Sequence, residues 1–95
     1  MSLRTDELNN GMVIHLQEKF DFSGAEKFRA AYEGRDVEEY TINFEKTDYM
    51  DSSGLGMLLN MKRNIGNKPV NLINCKPQIK KVLVISRFDE QFHIS

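Results

Sequence analysis

The sequence holds 95 residues, 40% hydrophobic and 28% charged, with a formal net charge of −1. That is enough chain for one core and too little for two, so residues 1–95 are expected to form a single domain of ordinary globular composition. No apolar run approaches the roughly 18 residues of a membrane span, the opening MSLRTDELNNG lacks a hydrophobic signal core, and the lone Cys75 excludes an internal disulfide. A protein of the reducing cytoplasm, without membrane insertion, is the expectation.

Residues 3–8 form a weak, polar strand candidate, and Asn9-Asn10-Gly11 is a tight-turn signal. In the strand that follows, Met12, Ile14 and Leu16 share one face and Val13 and His15 the other. The spacing of Ser23 and Glu26 fits a reciprocal capping box at the head of a helix, with Ala25, Phe28 and Tyr32 at helical spacing and Gly34 as its stop. Tyr40, Ile42 and Phe44 alternate with polar residues, which predicts a strand buried on one side. A second helix starts within YMDSSGLGMLL and runs to about Ile65, with Gly66 beyond it. Val70, Leu72, Ile73 and Cys75 read as a strand, Pro77 as the first turn of a third helix striped by Ile79, Val82 and Leu83, and QFHI as a last strand. The order is ββαβαβαβ, with no internal repeat or linker.

Each strand-helix-strand step demands a crossover, hence parallel pairing, and open α/β sheets place function beyond the carboxyl ends of their strands. YMDSSG and KFDFSG, residues 19–24, both lie at such ends and are expected to neighbour each other. That would bring Asp21 and Ser23 near Ser52. The charge is uneven: residues 1–51 carry twelve acids against six Lys or Arg, residues 52–95 two against seven. Asp51, Asp48, Glu45 and Asp21 therefore give the serine pair an acidic setting. No basic stripe with interleaved aromatics is present, which argues against nucleic acid as a partner.

The bland reading of D-S-S is a helix cap supplied by Asp51, Ser52 or Ser53. It leaves Gly54 and Gly56 unaccounted for, since a glycine inside a helix costs about 1 kcal/mol relative to alanine. Glycines there bare the backbone to an approaching molecule. A P-loop would need a lysine that this stretch lacks before Lys62. A catalytic serine would need a base, and the histidines are His15 within a strand and His93 near the end. The same shortage of ligands counts against a metal. No enzyme activity and no cofactor are therefore expected, and a protein that reads or marks the serine remains. Leu55, Leu58, Leu59 and Ile65 share the buried face of the helix, whereas Met57 points away beside Gly56, as an adaptable contact.

MDSSGLGMLL after a strand, with GMVIHLQEKFDFSGAEKF before it, resembles the STAS domain family, and within it the anti-sigma factor antagonists, or anti-anti-sigma factors. The resemblance implies an α/β fold with a mixed, mostly parallel sheet of about five strands and helices mainly on one face. It implies a phosphoprotein that controls transcription in a bacterial cell by partner switching. The first serine after the aspartate, here Ser52, would be the phosphoacceptor. Asp21, Ser23, Asp51, Ser53, Gly54, Leu55, Gly56 and Met57 would bind the partner. That partner would be an anti-sigma factor that is itself a GHKL-type serine kinase, with a PP2C-type phosphatase, in some systems fused to a response regulator, resetting the mark. Two alternatives within the family are a signalling output other than a sigma factor, such as biofilm or secretion, and a subunit of a lipid-transport ABC complex.

Overall fold

The chain opens on a hairpin in the computed structural model, which describes residues 3–95. Strands β1 (Arg4–Leu8) and β2 (Gly11–His15) pair antiparallel, with Leu8 opposite Gly11. Asn9 and Asn10 between them take φ values of 49° and 68°. Asparagine tolerates this left-handed region, and two such residues make the turn whose twist suits a hairpin.

A two-residue strand, β3 (Lys19–Phe20), and a 3-10 turn at Phe22–Gly24 lead into helix α1 (Ala25–Tyr32). Then come β4 (Glu39–Asn43), β5 (Tyr49–Met50), α2 (Ser52–Ile65), β6 (Val70–Ile73), α3 (Pro77–Ile85) and β7 (His93–Ile94). Five strands form one sheet in the order β1-β2-β4-β6-β7, with every pair after the hairpin parallel. The expected mixed, mostly parallel sheet is present. β3 and β5, which the sequence reading did not foresee, pair in parallel as a separate small ribbon, Lys19 opposite Tyr49 and Phe20 opposite Met50.

Alternation along the strands sorts the two faces of the main sheet. Met12, Ile14, Leu16, Tyr40, Ile42, Phe44, Val70 and Leu72 are buried together with Phe28, Leu58, Met61, Ile79 and Leu83 from the three helices. On the opposite face Val13, His15, Thr41 and Asn71 stay partly exposed. Side-chain bonds tie that polar face together: His15 Nε2 to Asp6 at 2.8 Å, His15 Nδ1 to the Asn43 amide at 3.1 Å, and the Asn74 amide donating to Asn43 at 2.9 Å. The helices therefore cover one face, as expected.

Two local expectations are corrected. Ser23 and Glu26 do not form a capping box. Asp21, two residues before Ser23, is a charged acceptor and takes its N–H, so a 3-10 turn intervenes and α1 starts at Ala25 with Gly24 as an unassisted cap. Val82 is not part of the buried stripe of α3: it is exposed, whereas Ile79 and Leu83, one turn apart, are buried. At 100° per residue Val82 falls on the flank of that pair.

Candidate functional site

Helix α2 starts at Ser52, and Asp51 is its cap, in extended conformation with φ −119° and ψ −171°. The Asp51 carboxylate accepts the Ser53 N–H at 3.0 Å and also the Ser53 hydroxyl. Its carbonyl accepts the N–H groups of Gly54 at 3.0 Å and Leu55 at 3.4 Å. One residue thus takes up most of the orphan donors of the first turn. The hydrogen bond from the Ser53 hydroxyl is the main reason the Asp51 carboxyl sits below the usual carboxylate range.

This arrangement separates the two serines. Ser53 is half-buried and its hydroxyl is turned inward to Asp51. Ser52 is exposed, and no side-chain hydrogen bond joins its hydroxyl to the other described residues. Tyr49 stands beside the cap, its hydroxyl donating to Asp51 at 3.3 Å. The negative charge of Asp51, and to a lesser degree that of Asp21, raises the pKa of this phenol.

The loop after β3 repeats the loop after β5. Asp21 is extended, with φ −141° and ψ −176°, and its carboxylate accepts the Ser23 N–H at 3.1 Å and the Ser23 hydroxyl at 2.5 Å. The tetrapeptide D-x-S-G therefore occurs twice, at 21–24 and 51–54, each time behind one strand of the small ribbon and before a helix. Carried two residues beyond the Phe20–Met50 pair, the register sets Asp21 against Asp51 and Phe22 against Ser52. The neighbouring loops were expected, but the repeat was not. The recurring D-x-S-G was the signal that would have shown it, and would have drawn Phe22 into the site. Phe22 is 77% exposed.

The expected partner-binding residues do not share one surface. Phe22, Ala25, Phe28, Ser53, Gly56 and Met57 line a groove of about 440 Å³ between α1 and α2. Ser23 faces a different recess, alongside Lys19, Lys27 and Lys46. Leu55 and Met57 are both half-buried and packed against the core, which corrects the expectation that Met57 points away from it, although Met57 also lines the groove. Gly54 faces inward: a Cβ there would stand 2.7 Å from the Phe20 carbonyl oxygen and 2.7 Å from the Met50 side chain. Its missing side chain lets α2 approach the ribbon, which corrects the expectation that both glycines open the backbone to another molecule. Gly56 does face open space. The histidines lie elsewhere, His15 on the polar sheet face and His93 in β7.

Residues 3–94 match the family model described as Mlab, STAS domain. The chain belongs to the STAS domain family. A STAS-domain containing protein of Pseudomonas aeruginosa (strain UCBPP-PA14) is 39% identical, the match covering 88% of this chain and 87% of that relative. Among solved structures, the STAS domain described here is similar to the anti-sigma factor antagonist SpoIIAA in its unphosphorylated form. That likeness has a TM-score of 0.72 at 25% identity and covers 99% of this chain and 87% of the other. The Bacillus cell fate determinant SpoIIAA in its phosphorylated form gives a TM-score of 0.73 at 25% identity, over 99% of this chain and 91% of the other. A variant of Moorella thermoacetica RsbS shares the fold, with a TM-score of 0.73 at 16% identity over 98% and 85% of the two chains.

Proposed function

We propose that this STAS domain is a phosphorylation-controlled partner-switching regulator, an anti-sigma factor antagonist with Ser52 as its phosphoacceptor. The observation that carries the reading is the division between the serines: Ser52 is exposed at the head of α2 with its hydroxyl unbonded to the other described side chains, while Asp51 holds that of Ser53. The likeness to SpoIIAA, an anti-sigma factor antagonist solved in unphosphorylated and phosphorylated forms, supports it. Unmodified, the domain binds a GHKL-type serine kinase that is itself the anti-sigma factor. Phosphorylated, it lets that kinase go, and a PP2C-type phosphatase restores it. Asp21, Asp51, Ser53, Leu55, Gly56 and Met57 surround the contact, Ser23 flanks it, and Gly54 shapes it from beneath.

The physics of the mark follows from the cap. A phosphoryl group adds about −1.5 to −2 charges. On Ser52 it lies at the positive end of the α2 dipole, which stabilises it. Asp51 already occupies the N–H groups of Ser53, Gly54 and Leu55, so the phosphate is not drawn into the helix mouth and projects outward. Against a partner carboxylate ~6 Å away, at an effective dielectric of ~20–40, the repulsion is about 2–6 kcal/mol. At about 1.4 kcal/mol per decade this weakens binding by one to four powers of ten.

Co-expression with the cognate kinase, followed by peptide mass spectrometry, tests the reading. Phosphate on Ser52, absent from Ser52→Ala, is expected. Phosphate on another residue, or none, overturns it, and a partner held equally tightly by Ser52→Asp and Ser52→Ala would favour a constitutive subunit.

A further inference from the structure

Three lysines surround one hollow beside the small ribbon. Lys19 lies in β3, Lys27 in α1 and Lys46 in the segment between β4 and β5, and with Ser23 and Gly24 they line a recess of about 540 Å³. None of the three has an ion-pair partner among the described residues. They stay unpaired although residues 1–51 carry twelve acids against six Lys or Arg. Arg4 and Arg29, by contrast, are held by Asp6 and Glu33.

The lining selects the occupant. Three ammonium groups face one carboxylate, that of Glu18, so the recess favours an anion. Among the described residues that line it there is no aromatic ring, and a nucleotide base would have no platform to stack on. A compact phosphate draws on free backbone N–H groups. Those of Ser23 and Gly24 are already taken by Asp21, at 3.1 Å each. What the recess offers is lysine side chains, point charges on flexible stems carried by three separate elements. They suit carboxylates spaced along a polypeptide.

The recess is also joined to the marked serine. Lys19 pairs in register with Tyr49, so the two side chains leave the ribbon on the same face. The Tyr49 hydroxyl donates to Asp51, the cap directly before Ser52.

We infer that this recess receives an acidic segment of the partner protein, with several Asp or Glu side chains within a few residues, held by Lys19, Lys27 and Lys46. Carboxylates docked there bring negative charge to the ribbon, and a phosphoryl group on Ser52 repels it. Attraction at the lysines and repulsion at the serine then act on one partner, which the unmarked domain holds and the marked domain lets go. The inference rests on the partner-binding reading above.

A hexaglutamate peptide titrated into the purified domain and followed by NMR amide shifts tests it. Shifts are expected at Lys19, Ser23, Gly24, Lys27 and Lys46. The affinity should fall about tenfold or more when Lys27→Glu and Lys46→Glu are combined, and stay unchanged when Lys80→Glu and Lys81→Glu, two exposed lysines of α3, are combined. Circular dichroism confirms that each variant is folded. Carbodiimide, which joins an amine to a carboxylate in direct contact, is then applied to the complex with the cognate kinase. Cross-links from the recess lysines to an acidic segment are expected. An equal loss in the α3 variant, no cross-link at the recess, or tighter binding there of ATP or inorganic pyrophosphate than of the peptide overturns the inference. If the peptide binds at the recess while Ser52 is never phosphorylated, the switching reading fails and the recess stands. If Ser52 is phosphorylated and the recess lysines neither bind the peptide nor cross-link, the reverse holds.

Discussion

Gly54 lies directly against Phe20: a Cβ on the glycine would come within 2.7 Å of the Phe20 carbonyl oxygen and 2.9 Å of its ring. Phe20 is itself fixed, buried and packed edge-to-face against Phe28 and Phe44 at centroid distances of 5.1 and 5.9 Å. The backbone oxygen cannot swing aside as a flexible side chain would, so Gly54→Ala should destabilise the domain by about 1–3 kcal/mol. Gly56→Ala, two residues on and facing open space, should gain up to about 1 kcal/mol from its better helix propensity. Urea unfolding of the pair checks both signs, and equal effects would contradict this packing.

The acid limb of stability should carry the signature of Asp51. Its carboxyl is depressed in the folded state, chiefly by the Ser53 hydroxyl, and takes the ordinary value once unfolded. The unfolded chain therefore binds the proton first as pH falls. The contribution is fully present above the ordinary carboxylate value and is lost as pH drops through the folded one. Asp6, depressed mainly by its bond to His15, adds in the same direction. In Asp51→Asn the stability deficit against wild type should be visible at neutral pH and shrink in acid, as followed by denaturant melts across pH. A deficit independent of pH would show that the charge of the cap is not what matters.

Long elements were legible in the sequence because burial imposes a period on them. Met12, Ile14 and Leu16 announced β2, and Leu58 with the stop at Gly66 announced α2. The ribbon of β3 and β5 was not legible, because two residues cannot show an alternation. Yet this ribbon sets the Asp21 and Asp51 loops side by side. Met61 is buried and Leu55 only half-buried, a rotation of the expected leucine face that follows from Gly54 pressing the start of α2 onto Phe20. The D-S-S-G stretch drew attention through its chemistry, whereas Phe22 escaped because one aromatic residue near a helix start reads as core.

Thr47 is fully buried, and its hydroxyl donates to the Gln17 carbonyl at 2.7 Å. Beside it the Asp48 N–H donates to the Glu18 carbonyl at 2.9 Å. Together these bonds clamp the segment before β5 to the segment before β3, upstream of both Asp loops. Thr47→Val keeps the volume, removes the donor and costs the bond to the Gln17 carbonyl, about 0.5–1.5 kcal/mol. Amide hydrogen exchange should quicken at Tyr49 and Phe20 more than in the main sheet. Uniform acceleration would mean the clamp has no local role.

Ser52 and Ser53 should separate cleanly under substitution. Ser53→Ala removes the hydroxyl bond to Asp51 but keeps the backbone bond from the Ser53 N–H. It should lower stability by about 0.5–1.5 kcal/mol, the usual net worth of one hydrogen bond, and leave partner affinity within about threefold, or about 0.7 kcal/mol. Ser52→Asp places a negative charge on an exposed residue in the first turn of α2, where the helix dipole favours it. The domain should stay as stable as wild type, within about 0.5 kcal/mol, since surface changes of this kind rarely do more. Its affinity for the partner should fall at least about tenfold, at the lower end of the phosphate effect because aspartate carries less charge. Thermal melts and titration calorimetry on the two variants read both quantities. A Ser52→Asp protein that binds normally, or one that loses binding only because it has unfolded, would remove the electrostatic switch from this site.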